Sequence, residues 1–143
     1  MTRSTDLSVR KDAARPAGLF AHPAQLGALL AFLGVALGAF GAHALEGVLS
    51  EGRLATYQTA ARYGMYHALG LLAVGALPRP TWRAAPWLFW GSVVFSGSLY
   101  VLALSGVALF GAVAPIGGVL QLVGWALLFV SLRGAWVRAH QSA

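Results

Sequence analysis

The sequence predicts an all-α fold, a polytopic membrane protein whose four transmembrane helices form one bundle. Three observations predict it. Of the 143 residues, 58% are hydrophobic and only 10% are charged, far from the balance of a water-soluble domain. Four apolar segments, at about 24–45, 56–77, 85–105 and 112–132, each approach the roughly 20 residues that cross about 30 Å of hydrocarbon. None of them alternates apolar and polar residues as a membrane strand would, and backbone groups in lipid must be satisfied within their own segment, so the spans are helices.

Residues 1–23 hold Arg3, Arg10, Lys11 and Arg15 beside Asp6 and Asp12 and lack a hydrophobic period, which reads as a basic cytoplasmic tail. In the first span Gly27, Ala31, Gly34, Gly38 and Gly41 fall near one helical face. Gly34 and Gly38 form a GxxxG pair, the spacing that lets a second backbone approach closely. The second span is the weakest: Gln58, Arg62 and Tyr63 interrupt its first half, and it needs neighbouring helices to hold it in lipid. Ala60, Gly64 and Ala68 give it a small-residue face of its own.

Pro78 and Pro80 stiffen the next loop, and the third span starts beside Trp82, Trp87 and Trp90, the composition of an interfacial aromatic belt. Pro115-Ile116-Gly117-Gly118 opens the fourth span with a turn expected to be loosened, and Gly117 and Gly124 supply its packing face. Residues 133–143 are expected as a second cytoplasmic tail, leaving 24–132 as the transmembrane domain.

Basic residues set the orientation. Four lie in the N-terminal tail, two in the loop with Arg79 and Arg83, and two, Arg133 and Arg138, at the C-terminus, all on one side of a four-span chain. The other side has Arg53 with Glu46 and Glu51. The positive-inside rule then puts both termini in the cytoplasm. A cleaved signal peptide ending at Ala42-His43-Ala44 is the competing reading; the first apolar run is longer than a usual signal core, and the later spans make the product membranous in either case. The net charge of +6 sits at the ends and in one short loop, so it reads as topology and not as a nucleic-acid surface. With no cysteine, disulfides, thiolate metal sites, iron–sulfur ligation and cysteine nucleophiles are excluded.

Placing polar residues by depth, at about 1.5 Å per helical residue, gathers them in the outer half of the membrane. His43 lies at the outer end of the first helix, and Arg62, Tyr63 and His67 follow on the second. Ser96, Ser98 and Tyr100 lie on the third and Gln121 on the fourth. Tyr63 and His67, four residues apart, share a face. Ionisable groups within a membrane usually face the bundle interior, and these eight residues are the candidate ligand contacts. The structural alternatives are snorkelling of Arg62 to the interface, neutral histidines bonded across helices, and Ser, Tyr and Gln serving as interhelical hydrogen-bond partners.

No catalytic constellation emerges. Glu46 and Glu51 sit in the outer loop, so no acid stands behind a histidine, and no intramembrane carboxylate completes a metal site. On straight helices His43 and His67 differ by more than about 10 Å in depth, a poor match to the axial positions of one haem. No cofactor is expected.

Several strings occur together: Gly38-Ala39-Phe40-Gly41-Ala42-His43-Ala44-Leu45, Tyr57-Gln58-Thr59-Ala60, Arg62-Tyr63, Tyr66-His67-Ala68-Leu69, Phe95-Ser96-Gly97-Ser98-Leu99-Tyr100, Pro115-Ile116-Gly117-Gly118 and Gly124-Trp125. In this order and spacing, over about residues 24–132, the chain resembles the YgdD-like family of small inner-membrane proteins, domain of unknown function 423. The resemblance implies a multi-pass protein of the bacterial inner (plasma) membrane. It marks His43, Tyr63, His67, Ser98, Tyr100, Pro115, Gly117 and Gly118 as motif positions, and it brings no activity. The basic tail and Ala44, where glycine is frequent, depart from the common family pattern.

The leading functional expectation is a non-enzymatic bundle in the lipid bilayer that binds a lipid, a hydrophobic small molecule or a membrane-protein partner, a second copy included, through the polar cluster, with Gly34, Gly38, Gly41, Gly64, Gly117 and Gly118 packing the helices. The alternatives are an oligomeric ion, proton or small-solute transporter or channel subunit, with Arg62, His67, Tyr100 and Gln121 along a path, and a membrane enzyme or redox protein using the histidines.

Overall fold

A computed structural model describes residues 22–141, and among them all regular structure is helical. Four long helices follow one another: α1 (Pro23–His43), α2 (Glu51–Ala76), α3 (Ala85–Ser105) and α4 (Leu109–Gln141), with a 3-10 turn, Arg79–Ala84, between α2 and α3. All but the last two residues of the expected N-terminal tail lie outside the described residues.

Two boundaries differ from the hydropathy reading. Helix α2 starts at Glu51, in the polar stretch before the expected span, because helix formation depends on the backbone, and a carboxylate in the first turn favours the positive helix end. Helix α4 runs to Gln141, through the stretch expected as a tail. Its 33 residues measure about 50 Å, well beyond the hydrocarbon thickness. It is also unbroken at Pro115, which lies in its second turn. One missing N–H there does not open the helix.

By length and composition, α1, the Arg79–Ser105 segment and the Leu109–Gly134 part of α4 are apolar enough to cross a membrane. Of the four expected spans these are three; α2, which carries Glu51, Arg53, Gln58, Arg62 and His67, falls short by that measure. α2 and α3 form a central pair, with α1 flanking on α2 and α4 flanking on α3, and α1 and α4 share no extensive face. In that central position His67 is buried and Arg53 half-buried, whereas Glu51, Gln58 and Arg62 stay exposed.

α1 runs antiparallel beside α2 along its length, and the two backbones touch. A β-carbon on Gly27 would stand 2.7 Å from the Ala68 carbonyl oxygen, and one on Gly75 would stand 2.5 Å from the Ala24 nitrogen. At the other end Gly41 receives the ring of Tyr57. Gly91, Gly117 and Gly124 do the same between α3 and α4, against Gln121, Phe95 and Leu88. Close backbone approach is the main source of helix association in lipid, where burial of apolar surface gives little.

The 3-10 turn closes one end over a core of Leu71, Val74, Ala84, Ala85, Leu88 and Leu128. Trp82 packs on that core and donates its indole N–H to the Leu77 carbonyl at 3.1 Å, so of the three tryptophans expected as a belt only Trp87 and Trp90 are exposed. At the opposite end α3 stops at Gly106 in the left-handed conformation (φ 75°), whose N–H bonds the Leu102 carbonyl. Arg53 of α2 donates Nε to the Ala103 carbonyl at 2.6 Å and Nη2 to the Leu104 carbonyl. A cation on the exposed carbonyls of a helix C-terminus is favoured by the helix dipole, and here it ties α2 to α3.

Candidate functional site

The eight polar candidates do not converge on one site. Five divide between two clefts on either side of the central pair, and three lie in neither. His43 is exposed at the last residue of α1, Arg62 is exposed on α2, and Ser98 is buried on α3 outside both linings.

The first cleft lies between α2 and α4, lined by Tyr63, Tyr66, His67, Gly118, Gln121, Leu122 and Trp125. His67 is only 4% exposed, and both its ring nitrogens are engaged. Nδ1 lies 2.7 Å from the Tyr63 carbonyl oxygen, and the Trp125 indole Nε1 lies 3.2 Å from Nε2. A carbonyl can only accept and an indole N–H can only donate, so the ring is neutral with its proton on Nδ1. Gln121 is likewise buried, its Nε2 donating to the Gly91 carbonyl at 3.3 Å. Tyr63 stacks on Phe95 with centroids 5.2 Å apart and meets Tyr66 edge-on. The polar groups of this cleft mainly hold α2, α3 and α4 together.

The second cleft lies between α1 and α3, with Gly64 of α2 as its floor, and has a volume of about 150 Å³. Leu30, Leu33, Gly34 and Leu37 form the α1 wall; Ser92, Val93, Ser96, Gly97 and Tyr100 form the α3 wall. No charged residue lines it. Ser92, Ser96 and Tyr100 are four residues apart, hence stacked on one face at about 6 Å per step.

Most helical serines and threonines here return their hydroxyl to a carbonyl of their own helix, and Ser96 does not. Thr56, Thr59, Ser105 and Ser131 each return theirs to the carbonyl four residues back, and Ser98 returns its own to Phe95 three residues back. Ser96 Oγ is buried, in a residue 6% exposed, and has no partner. It faces Gly64, where a β-carbon would come to 3.3 Å from it. An unmade hydrogen bond in an apolar interior costs about 1–3 kcal/mol, which a ligand with a matching group repays.

Tyr100 closes this cleft toward the α1–α2 loop. It meets Tyr57 edge-on with centroids 4.8 Å apart, and the Tyr57 hydroxyl donates to the Leu37 carbonyl at 3.0 Å. Among the glycines expected to pack helices, Gly34 faces Met65, Gly41 the Tyr57 ring, Gly64 Ser96, and Gly117 and Gly118 face Phe95, whereas Gly38 faces open space.

Sequence reasoning passed over Ser92, Tyr57, Arg53 and Trp125 as site or anchoring residues. Ser92 had a signal, the four-residue spacing to Ser96 and Tyr100. Tyr57 and Trp125 stood in the quoted strings without a role, and Arg53 had no signal, because its partners are backbone carbonyls of a helix distant in sequence.

No solved structure matches the chain. The family model described as "Protein of unknown function (DUF423)" matches residues 37–118, from the end of α1 into α4. The UPF0382 membrane protein SSP2132 of Staphylococcus saprophyticus is 50% identical over 109 residues, 73% of this chain and 91% of the relative. SERP0230 of Staphylococcus epidermidis is 49% identical over 74% of this chain and 90% of its own length. The corresponding figures for YwdK of Bacillus subtilis are 44%, 74% and 91%. Both are likewise named UPF0382 membrane proteins, and none of the three names states an activity. With the family model covering more than half of its length and relatives at this identity, the chain belongs to the DUF423 family, together with the UPF0382 membrane proteins.

Proposed function

We propose that this protein is a four-span, non-enzymatic component of the bacterial inner membrane, with both termini cytoplasmic, that binds a neutral hydrophobic molecule in the cleft between α1 and α3. The observation that carries the binding reading is the buried, unpartnered hydroxyl of Ser96 on the α3 wall of a cleft that no charged residue lines. The absence of charge along its walls favours a neutral ligand, since an ionised group there would be costly without a partner.

The fourth span rests on α2 lying antiparallel beside α1 from Gly75 to Tyr57. A helix packed along a membrane-spanning neighbour shares its depth. Its 26 residues, about 39 Å, suffice for the crossing. The orientation follows from the basic residues flanking the spans. A transport reading would require polar groups left available along a path, and His67 and Gln121 are both committed to hydrogen bonds.

Two experiments test this. Protein extracted directly into lipid nanodiscs, wild type beside Gly97→Leu, is analysed by native mass spectrometry for retained small molecules. Gly97 lines the cleft and a β-carbon there meets nothing within 4 Å, so leucine fills the cleft without displacing the helices. A species carried by the wild type and missing from the variant supports the reading; equal content in both sinks it. Single cysteines introduced into this cysteine-free chain, in the 44–50 loop and in the 77–84 turn, should label from opposite sides of the membrane, and labelling from one side would refute the span count.

A further inference from the structure

The α1–α3 cleft has features that narrow its ligand beyond "hydrophobic", and the narrower assignment rests on the reading of this cleft as a binding site for a neutral molecule. Depth comes first. Ser96 is the twelfth of 21 residues in α3, and Gly64 opposite it is the fourteenth of 26 in α2, so both lie near the middle of their helices, the part that falls in the hydrocarbon interior when the helices cross. Ester and phosphate groups of a phospholipid reside at the interface, roughly half the 30 Å hydrocarbon thickness away, and cannot reach Ser96. The group that engages this hydroxyl belongs to a molecule whose polar part partitions into the hydrocarbon centre.

Size and shape come second. An apolar cavity of about 150 Å³ accepts a benzene-sized ring. Leu30, Leu33, Leu37 and Val93 offer apolar walls, while Gly34, Gly64 and Gly97 leave the width for a flat ring. Polarity comes third. Ser92 and Ser96 stand on successive turns of one wall, about 6 Å apart along the axis. The two opposite carbonyl oxygens of a para-quinone are separated by a distance close to one helical turn, and each accepts a hydroxyl hydrogen bond without carrying charge.

We infer that the cleft between α1 and α3 is a binding site for the ring of a lipid-soluble quinone, with Ser96 Oγ donating to one carbonyl oxygen, Ser92 standing one turn along the same wall, and any isoprenoid tail leaving toward lipid past Leu33 and Leu37. Both of those leucines are exposed. The inference concerns binding alone; no electron transfer is assigned to this chain.

The test uses a matched pair of probes, duroquinone and durene, which carry the same four methyl groups on a six-membered ring and differ in the two carbonyl oxygens. Full-length protein in nanodiscs is titrated with each, and uptake by empty nanodiscs is subtracted. Infrared spectroscopy follows the duroquinone carbonyl band. The expected result is saturable duroquinone binding, a carbonyl band shifted to lower frequency, binding weakened about 5- to 10-fold in Ser96→Ala together with loss of that band shift, and no binding in Gly97→Leu. Gly38→Ala, which adds a methyl outside the cleft where nothing lies within 4 Å, should bind as wild type. Equal binding of durene and duroquinone, with Ser96→Ala changing neither, would overturn the quinone assignment and leave a hydrophobic-ligand cleft standing. Saturable duroquinone binding that survives Gly97→Leu would place the ring elsewhere and overturn it as well. If duroquinone does not bind at all the assignment fails, and the retained-molecule comparison of wild type and Gly97→Leu then decides the broader reading separately.

Discussion

Adding one methyl group to α1 should have opposite consequences three residues apart. At Gly41 the new β-carbon would fall 2.5 Å from Cε1 and 2.7 Å from Cδ1 of Tyr57. That ring cannot swing away cheaply. It is 1% exposed, its hydroxyl is bonded to the Leu37 carbonyl, and its edge rests on Tyr100. Relief therefore requires α1 to move off α2 or the tyrosine to abandon its hydrogen bond. Overpacking of this kind costs about 1–3 kcal/mol. At Gly38 a β-carbon meets nothing within 4 Å. Both substitutions share the gain of about 1 kcal/mol from replacing glycine by alanine within a helix, so that term cancels between them. Gly41→Ala should thus be about 1–3 kcal/mol less stable than Gly38→Ala, roughly a 5- to 140-fold difference in the ratio of folded to unfolded protein. Reversible unfolding from bicelles, by steric trapping or detergent titration, measures the pair side by side. If Gly41→Ala equals or exceeds Gly38→Ala in stability, the close seat of Tyr57 on α1 is wrong. A selective loss at Gly38 would show that the GxxxG face is covered by a second molecule.

Three further substitutions probe the remaining anchors. Trp125→Phe removes the donor to His67 Nε2 while retaining an aromatic side chain against Gly70, and should cost about 0.6–1.7 kcal/mol; an additive result in a double-mutant cycle with His67→Ala would argue against the bond. Arg53→Met keeps the aliphatic stem and deletes both bonds to the C-terminus of α3, so hydrogen exchange at residues 103–106 should rise, with stability falling by about 1–2 kcal/mol; unchanged exchange would refute the clamp. Tyr57→Phe leaves the ring in place and removes only the hydroxyl bond to Leu37, which should cost about 0.5–1.5 kcal/mol by the same unfolding assay, and a loss comparable with Tyr57→Ala would mean that the hydroxyl, and not the ring, carries the contact.

The UPF0382 relatives match this chain over about nine-tenths of their own length, so its helices correspond to nearly the whole of those proteins. The family model spans Arg53, Tyr57, His67, Ser96 and Tyr100 but ends before Gln121 and Trp125. The cleft with the unpartnered hydroxyl therefore has its floor and its α3 wall inside the family match, while α4's side of the other cleft lies largely outside it.

Composition and hydropathy alone determined that the chain is helical, that it carries membrane-spanning segments, and where α1 and α3 lie to within about two residues. These are local properties: a run of apolar residues announces its own burial in lipid, and the backbone in lipid has to satisfy itself. The small residues were equally legible as a class. Which of them touch a neighbour was not, because Gly34, Gly38 and Gly41 read alike on a helical wheel and only the position of α2 separates the glycine under Tyr57 from the one facing open space. Tertiary structure also decided that α2 is central, with Arg53 tied to the end of α3 and His67 buried against Trp125. It divided one expected polar cluster into two clefts, because Tyr63 and His67 turn toward α4 whereas Gly64, between them, turns toward Ser96. Residues adjacent in sequence point about 100° apart on a helix, and depth, the only coordinate available without neighbours, carries no information about that angle.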